Sequence, residues 1–351
     1  MPFRNALING DMRINQRGTS TNLASLTGVA TASPGSWVTD RWNVLRGGFA
    51  AGSVIGQGTN LTNADLPFSE AGIKTFGRIG RLSGNTATNS VALNYNMESQ
   101  DCYQYVGKVV TLSFYYRTGT NFSGSVLPTY IVTGTGTDQA LRNGYTGPIT
   151  QLTTNIVSST WRRVSFTVTL SSSLNQIGVG IEYTPVGTAG ANDYFDITGI
   201  QLEMGSVPTS FEVRPFPAEL QTCMRYYERS SDPSSSHVMT NFYDPHSIQS
   251  YSKSALYFDF AAKYKVTKRT ANHTLNLYTD TTTPADNKAW CESPGIIAAV
   301  LVMTLSYKLL SINGWSLRLS ANAAGVTYNA AFTSGSGNAF GAVNFEAIAE
   351  L

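Results

Sequence analysis

Apolar side chains recur at every second position through most of the first 205 residues, which is the period of a strand with one buried face. The segment VTLSFYYRTG places four of them on one side: Val110, Leu112, Phe114 and Tyr116. WRRVSFTVTL and QIGVGIEYT repeat the pattern. Half-buried strands of this kind pack their apolar faces together in antiparallel sheets. The pattern therefore predicts an all-β first domain, a sandwich or jelly roll.

The apolar parity changes once within the segment YFDITGIQLE. Phe195 and Ile197 follow one alternation, whereas Ile200 and Leu202 follow the other. One additional residue in a strand exchanges its two faces, because side chains alternate with a period of two. The change predicts a β-bulge at Thr198 and Gly199.

One segment departs from the strand period: FPAELQTCMRYYERS, residues 216–230. Its apolar residues recur at i, i+3, i+4 and i+7, the spacing of one helix face: Leu220, Cys223, Met224 and Tyr227. The preceding GSVPTSFEVRPFP carries three prolines, which favour an extended connector. We therefore predict a Pro-rich joint with one short helix.

The strand period returns from about Tyr251 and continues to the last residue, for example at Leu275 and Leu277. This pattern predicts a second all-β domain, a C-terminal β-sandwich. The predicted division is a jelly roll at residues 1–205, a Pro-rich linker with a short helix at 206–230, and the β-sandwich at 231–351.

The composition agrees with a β-rich protein and disfavours one class of binding partner. Charged residues make up 13% of the 351 residues, about half the usual ~25%, while glycine (32) and tyrosine (18) are abundant. Glycine forms corners and aromatic side chains pack well on strands, so this balance favours short strands joined by turns. The net charge of +2, without a basic block, disfavours a nucleic-acid partner.

Three further features bear on where the protein is made. Cys102, Cys223 and Cys291 form no CxxC motif; the pattern allows one disulfide but favours three reduced, buried thiols from cytoplasmic synthesis. The start, MPFRNALING, lacks the charged-then-apolar pattern of a signal peptide. GIIAAVLVMTL is about half as long as a membrane span, so we expect no membrane insertion and interpret it as a doubly buried or subunit-interface strand.

A polar segment of the second domain, YTDTTTPADNKAWCES, has the mixture of side chains that sugar-binding surfaces use. Aromatic faces stack on the C–H surfaces of pyranose rings, and neighbouring polar groups bind the hydroxyls. The candidate glycan-binding residues in this predicted loop are Tyr278, Asp286, Asn287, Lys288 and Trp290. The alternative interpretation is a core tryptophan that tethers an ordinary loop.

Several motifs resemble tail-fibre and receptor-binding proteins of tailed bacteriophages. RNALINGDMRINQRGTS followed by TDRW resembles their opening, and ITGIQLEMGSVPTSFEVRPFPAELQTCMRYYERS resembles their middle. In that family a carbohydrate-binding-module-like jelly roll ends on GIQLE-GS, and RPF--EL--C-RYY leads into a C-terminal domain. The closing AIAEL also fits. The second domain departs from the family at KYKVTKRTANHTLNLYT, so a receptor is not carried over.

The resemblance implies a homotrimer whose joint lies near the threefold axis, with the first domain facing the virion and the second, residues 231–351, facing outward to bind the receptor. Leu220, Met224 and Tyr227 would then pack between three copies of the helix. The alternative is that the helix caps one sandwich within a single chain. The jelly roll also implies a structural calcium, for which Asp11 of INGDM and Asp196 of YFDITG are the candidate ligands. Alternatively, Asp11 makes an Asx turn and Asp196 faces solvent.

The sequence analysis leads to one expected function and three alternatives. We expect a non-enzymatic adhesin, made in the host cytoplasm and carried with other tail proteins on a phage virion, which binds a host polysaccharide or lipopolysaccharide. The alternatives are a structural decoration or fibre-spacer protein, a glycan-trimming enzyme, and a carbohydrate-binding module of a secreted cellular enzyme. No GxSxG, P-loop or GxGxxG motif supports catalysis, although two glycosidase carboxylates cannot be located by sequence.

Overall fold

The computed structural model describes residues 3–17, 36–46, 53–59, 61–62, 64–66, 70, 72–230, 248–252, 257–278, 288–293, 296–302, 304–320 and 339–350. The chain divides into two compact units, residues 1–219 and residues 220–350. Both are built from antiparallel strands, so the predicted all-β class is confirmed. Among the described helices, none has the length and apolar character needed to cross a membrane.

The described part of the first unit contains eleven strands and one short helix. They are β1 (Ser36–Thr39), β2 (Trp42–Arg46), β3 (Ser53–Thr59), β4 (Thr75–Arg81), β5 (Val91–Asn96), α1 (Ser99–Cys102), β6 (Val109–Thr118), β7 (Val126–Gly134), β8 (Ile149–Ile156), β9 (Arg162–Thr169), β10 (Gln176–Tyr183) and β11 (Tyr194–Met204). Single 3-10 turns lie at Tyr103–Tyr105 and Leu141–Asn143. Sheet A has the order β1-β2-β5-β10-β7-β8, and sheet B has the order β3-β4-β11-β6-β9.

The inner faces of sheets A and B enclose one apolar core. The residues that the two-residue period places on one face of β6 and β10 are completely or almost completely buried there: Val110, Leu112, Phe114, Tyr116, Ile177, Val179, Ile181 and Tyr183. A strand that faces a second sheet must bury alternate side chains, which is why the local pattern located these faces correctly. The first unit is therefore a two-sheet β-sandwich.

The predicted bulge on β11 is confirmed. The pairing of β11 with β6 shifts between Thr198 and Gln201, and Gly199 has φ +60°, a conformation that glycine adopts without a steric penalty. Ile197 and Ile200 consequently both reach the core with no exposed surface. The bulge is thus what allows one long strand to remain apolar on its inner side.

The amino-terminal segment lies beside the second half of β11 and is hydrogen-bonded to it. The Ala6 amide donates to the Leu202 carbonyl (2.8 Å), and the Ile200 amide donates to the Gly10 carbonyl (2.9 Å). A Cβ atom on Gly10 would lie 2.1 Å from the Ile200 carbonyl oxygen, so this approach requires glycine. The NGD part of the opening motif therefore has a packing role.

The Pro-rich segment after β11 has no regular secondary structure and is held against the first unit by side chains. Glu203 accepts hydrogen bonds from the amide (2.9 Å) and hydroxyl (2.6 Å) of Thr209, and Glu70 accepts one from the Phe211 amide (3.2 Å). Phe211 is buried in a small apolar cluster on the outer face of sheet B. The connector is therefore ordered along the sandwich as far as helix α2 (Phe216–Met224).

Helix α2 occupies the predicted place but is shorter than the apolar spacing indicates. Cys223 is fully buried, and Leu220 and Met224 are half-buried. Tyr227, predicted on the same helix face, instead begins strand β12 (Tyr227–Arg229), where it pairs with Ile348. Its hydroxyl donates to Glu346 (2.8 Å), a contact with the far end of the chain that local periodicity does not report. The prediction for Tyr227 as a helix residue is wrong.

The described part of the second unit contains nine strands in two sheets. They are β12, β13 (Ile248–Ser252), β14 (Tyr257–Lys263), β15 (Thr274–Tyr278), β16 (Lys288–Ser293), β17 (Ile296–Val302), β18 (Thr304–Ser311), β19 (Gly314–Ser320) and β20 (Ala339–Ile348). One sheet has the order β12-β20-β16-β17, with β13 and β15 also paired to β20, and the other has the order β14-β19-β18. Its buried apolar residues include Phe260, Leu277, Leu317 and Phe345.

The apolar run of residues 295–305 is two strands rather than one. β17 ends at Val302 and pairs with β16, whereas β18 begins at Thr304 and pairs with β19 in the other sheet. A chain that passes between two sheets of one core stays apolar on both sides of the crossing. An unbroken hydrophobic run therefore conceals the change of sheet, and the single-strand prediction is wrong.

Candidate functional site

The predicted glycan loop of the second unit is in part regular structure. Tyr278 is the last residue of β15, where it is 5% exposed and its hydroxyl donates to Glu346 (2.9 Å). Lys288 and Trp290 lie on strand β16, so they do not belong to a loop. The other two candidates, Asp286 and Asn287, lie outside the described residues. Tyr278 is thus an interior residue, and the loop prediction is wrong for the ends of the segment.

The two predicted calcium ligands each have arginine partners. Asp196 is completely buried, and its carboxylate accepts hydrogen bonds from Arg78 (2.6 and 2.8 Å) and Arg117 (2.8 Å). Asp11 lies 3.3 Å from Arg13. Within the described ranges no three His, Cys, Asp or Glu residues are grouped as metal ligands would be. A calcium ion at Asp11 and Asp196 stays a prediction, and at Asp196 it would have to displace two guanidinium groups.

Asp11 provides a prediction for the pH dependence of stability. Burial raises the pKa of Asp11 from 3.8 to about 6, with Arg13 opposing the rise and Glu219 adding to it. The folded state therefore holds this proton more tightly than the unfolded state, so stability falls as the pH rises through the folded pKa. Asp11→Asn should have wild-type stability near pH 4 and exceed it by about 2–3 kcal/mol near pH 7, measured by denaturant titration.

The same variant tests the calcium prediction. If Asp11 binds calcium, millimolar calcium at neutral pH should raise the melting temperature of the wild type and leave that of Asp11→Asn unchanged. Equal responses of the two proteins would contradict a role for Asp11 as a ligand. A stability difference that does not change between acid and neutral pH would contradict the raised pKa.

The outer face of sheet A carries a continuous cross-strand row. Strand pairing places one residue from each of its six strands side by side: Trp37, Asn43, Asn94, Gly180, Tyr130 and Leu152. Their chain neighbours, such as Val44, Val179 and Ile131, point into the core. Because side chains alternate across a strand, the six residues all lie on the side away from the core. We call this set the sheet A row.

Aromatic and apolar side chains lie toward the two ends of the row. The Tyr130 ring lies across Gly180, where a Cβ atom would be 2.0 Å from a ring carbon, and it stays half-buried. Its neighbour on the edge strand, Leu152, is 59% exposed. At the opposite end Trp37 is half-buried, with the Arg17 guanidinium 4.5 Å from its ring centroid. The glycine thus leaves space for the Tyr130 ring on the surface of the sheet.

The middle of the row is polar and incompletely hydrogen-bonded. Tyr130 donates its hydroxyl to Asn94 Oδ1 (3.3 Å). Asn94 Nδ2 and Asn43 Oδ1 are buried, and neither has a hydrogen-bond partner among the described residues. Buried polar atoms without a partner are costly and rare, and a water or ligand hydroxyl commonly completes them. The row therefore offers one donor and one acceptor side by side between two aromatic side chains.

A second layer of side chains borders the row. Asn96, next to Asn94 on the same face of β5, accepts hydrogen bonds from the Tyr145 hydroxyl (3.0 Å) and the Leu141 amide (2.7 Å). Gln176 Oε1 on β10 is another buried acceptor without a partner in the described part of the chain. The six residues of the row are uncharged. The surface is therefore suited to a neutral, polyhydroxylated ligand, which aromatic faces and amide groups can both contact.

The row could not be located by reading one segment at a time. Each member occupies an outward position in a strand, and positions 180 and 182 alternate visibly with the predicted inner face of QIGVGIEYT. The strand pattern thus held a signal for outward residues. It did not indicate which strands are neighbours, and only the order β1-β2-β5-β10-β7-β8 brings Trp37 and Leu152 into one line.

No protein-family model and no curated protein matches this sequence. Among solved structures, the enzymatically active domain of tailspike protein 4 of bacteriophage CBA120 is similar at 10% identity and a TM-score of 0.36, covering 58% of this chain and 22% of that one. The CBM22-1 xylan-binding domain of Xyn10C from Paenibacillus barcinonensis is similar at 12% identity and a TM-score of 0.28, covering 51% of this chain and 100% of that one.

The CBM22-1–GH10 modules of endo-1,4-β-D-xylanase 10B from Clostridium thermocellum are similar at 11% identity and a TM-score of 0.30, covering 52% of this chain and 29% of that one. This chain thus spans about a fifth of the tailspike domain and less than a third of the xylanase modules. At these TM-scores and identities, the case for a function rests on the residues of the first unit.

Proposed function

We propose that this protein is a non-enzymatic adhesin of a tailed-phage virion and that it binds a polysaccharide or lipopolysaccharide on the host surface through the sheet A row. The observation that carries the proposal is a pair of amide atoms, on Asn43 and Asn94, that have no hydrogen-bond partner among the described residues and lie between the aromatic side chains of Trp37 and Tyr130. The six residues of the row, none of them charged, supply aromatic surfaces and amide hydrogen bonds for a neutral sugar.

The chemistry of the row supports binding more than catalysis. A glycosidase needs two carboxylates on either side of the scissile bond, and none of the six residues in the row is acidic. The Tyr130 ring packs against Gly180 and is already restricted, so it loses little rotamer freedom on binding, which favours affinity. A surface of this size gives weak contacts, so attachment by a homotrimer would gain its strength from avidity.

The proposal is tested with the fluorescently labelled full chain on cells of the candidate host. Tyr130→Ala should weaken binding about tenfold or more, because it removes the aromatic ring. Tyr103→Ala is the matched control, since Tyr103 is 63% exposed and lies outside the row. Purified host polysaccharide should compete with the wild type. Melting temperatures of both variants establish that each is folded.

Three outcomes would contradict the proposal in whole or in part. If the wild type labels no cell that the phage infects, a structural decoration or fibre-spacer role explains the protein better. If the host polysaccharide is shortened on incubation with the protein, the adhesin is an enzyme. Equal binding by Tyr130→Ala and Tyr103→Ala would leave adhesion standing and exclude the sheet A row as its site.

A further inference from the structure

The outer face of sheet B, on the opposite side of the same sandwich, carries an oriented arginine pair. Strand pairing places Asp196 of β11 between Arg78 of β4 and Arg117 of β6. Arg78 donates through Nε (2.6 Å) and Nη2 (2.8 Å), and Arg117 donates through Nε (2.8 Å). The buried carboxylate thereby fixes the direction of both guanidinium groups, whose side chains keep 16% and 28% of their surface exposed.

Each of the two guanidinium groups stacks on an aromatic ring. The Arg78 guanidinium lies 3.5 Å from the ring centroid of Tyr194, and that of Arg117 lies 4.9 Å from the ring centroid of Trp161. Both rings are half-buried. Stacking of this kind restricts an arginine side chain before any ligand arrives, which lowers the entropy lost on binding.

Arg117 has hydrogen-bonding capacity that the described residues do not use. Its Nε donates a hydrogen bond to Asp196, whereas its terminal nitrogens make no hydrogen bond to the described residues. Asp65 lies 3.8 Å from Arg117 Nη1, beyond hydrogen-bond distance, with its side chain 29% exposed. Thr62 instead holds the Asp65 carboxylate through its amide (3.0 Å) and hydroxyl (2.8 Å). An exposed ion pair of this kind contributes little energy.

The local charges favour an anionic ligand group. Two arginines share one buried carboxylate, so the second positive charge is balanced by Asp65, whose partly exposed carboxylate lies 3.8 Å from Arg117. A planar carboxylate can accept two parallel N–H groups of a guanidinium, a stronger interaction than the exposed pair that it would replace.

We propose that the outer face of sheet B is a second carbohydrate site, selective for the carboxylate of an acidic sugar such as a uronic acid. Arg117 binds the carboxylate, and Trp161 and Tyr194 border the sugar ring. The proposal rests on the proposed glycan-binding function but uses the face opposite to the sheet A row. It implies that the polysaccharide recognised by the protein contains acidic residues.

The test uses the full chain labelled with fluorotryptophan, whose signal for Trp161 is assigned with Trp161→Phe. Sodium glucuronate is compared with its uncharged methyl ester, a probe that differs only at the carboxylate. Glucuronate should shift the Trp161 signal with an apparent affinity at least tenfold above that of the ester. Arg117→Gln should abolish this difference, whereas Arg162→Gln, an exposed arginine on the neighbouring strand, should retain it.

An increase in affinity for glucuronate is a result that an unfolded variant could not produce. Asp65→Asn removes the competing charge and keeps an oxygen for Thr62, so it should bind glucuronate several-fold more tightly. Equal shifts by glucuronate and its ester, or no gain with Asp65→Asn, would overturn the second site. If glucuronate binds as expected but no host cell is labelled, the virion-adhesin proposal fails and this site stands.

Discussion

Replacement of Arg81 by methionine is expected to lower the free energy of unfolding of the first unit by about 3–5 kcal/mol. Arg81 and Asp193 form an ion pair (2.7 Å) in which neither side chain has any exposed surface. Methionine fills a similar volume but leaves the Asp193 carboxylate charged and buried without its counter-ion. Breaking a buried pair from one side is strongly destabilising for this reason. Denaturant titration at neutral pH measures the effect.

Arg81 also connects three loops of the sandwich, which adds to the expected loss. Its Nη1 donates to the carbonyls of Ala87 (2.7 Å) and Gly187 (2.9 Å), and its Nη2 donates to the Ser123 hydroxyl (3.1 Å). Each of these acceptors would lose a charge-assisted hydrogen bond. The variant should therefore lose protection from hydrogen exchange in all three loops.

Two further variants distinguish the effect of breaking the ion pair from the effect of removing an arginine in general. Arg162→Met removes an exposed arginine of the same unit and should change stability by less than about 0.5 kcal/mol. Arg81→Met combined with Asp193→Leu removes both charges and should be more stable than Arg81→Met alone. If the single and double variants were equally unstable, packing and not the unpaired Asp193 charge would be responsible.

Local patterns were sufficient to predict the core of the first unit. The inward residues of β6, β10 and β11 follow a period of two because each strand has one face against the other sheet, and burial imposes that period directly on the sequence. Even the bulge near Gly199 was predictable, since a change of parity has few other physical causes. These features depend on residues that are close in the chain.

The candidate sites depend on residues that are far apart in the chain. Trp37 and Leu152 belong to one row because of the strand order of sheet A, and Tyr278 is interior because Glu346, 68 residues away, accepts its hydroxyl. The composition of the segment beginning at Tyr278 resembled that of a binding loop, because aromatic residues beside polar residues occur both in binding loops and at the ends of buried strands. The pattern of one segment does not report partners of this kind.

The second large effect is expected in the second unit, where Lys268→Met should cost about 3–5 kcal/mol. Lys268 and Glu228 form an ion pair (2.7 Å) in which the lysine side chain has no exposed surface and the glutamate has 1%. The ammonium group also donates to the Met224 carbonyl at the end of α2 and lies 4.8 Å from the Tyr264 ring centroid. Methionine has similar length, so the lost charge is the main change.

Two comparisons decide whether the unpaired carboxylate is responsible for that loss. Lys263→Met removes an exposed lysine of β14 and should leave the unfolding transition within about 0.5 kcal/mol of the wild type. Lys268→Met combined with Glu228→Gln keeps a hydrogen-bond acceptor for the Lys265 amide (3.0 Å) and removes the buried charge, so it should recover part of the stability. A double variant as unstable as Lys268→Met would mean that the ammonium contacts with Met224 and Tyr264 carry the energy instead.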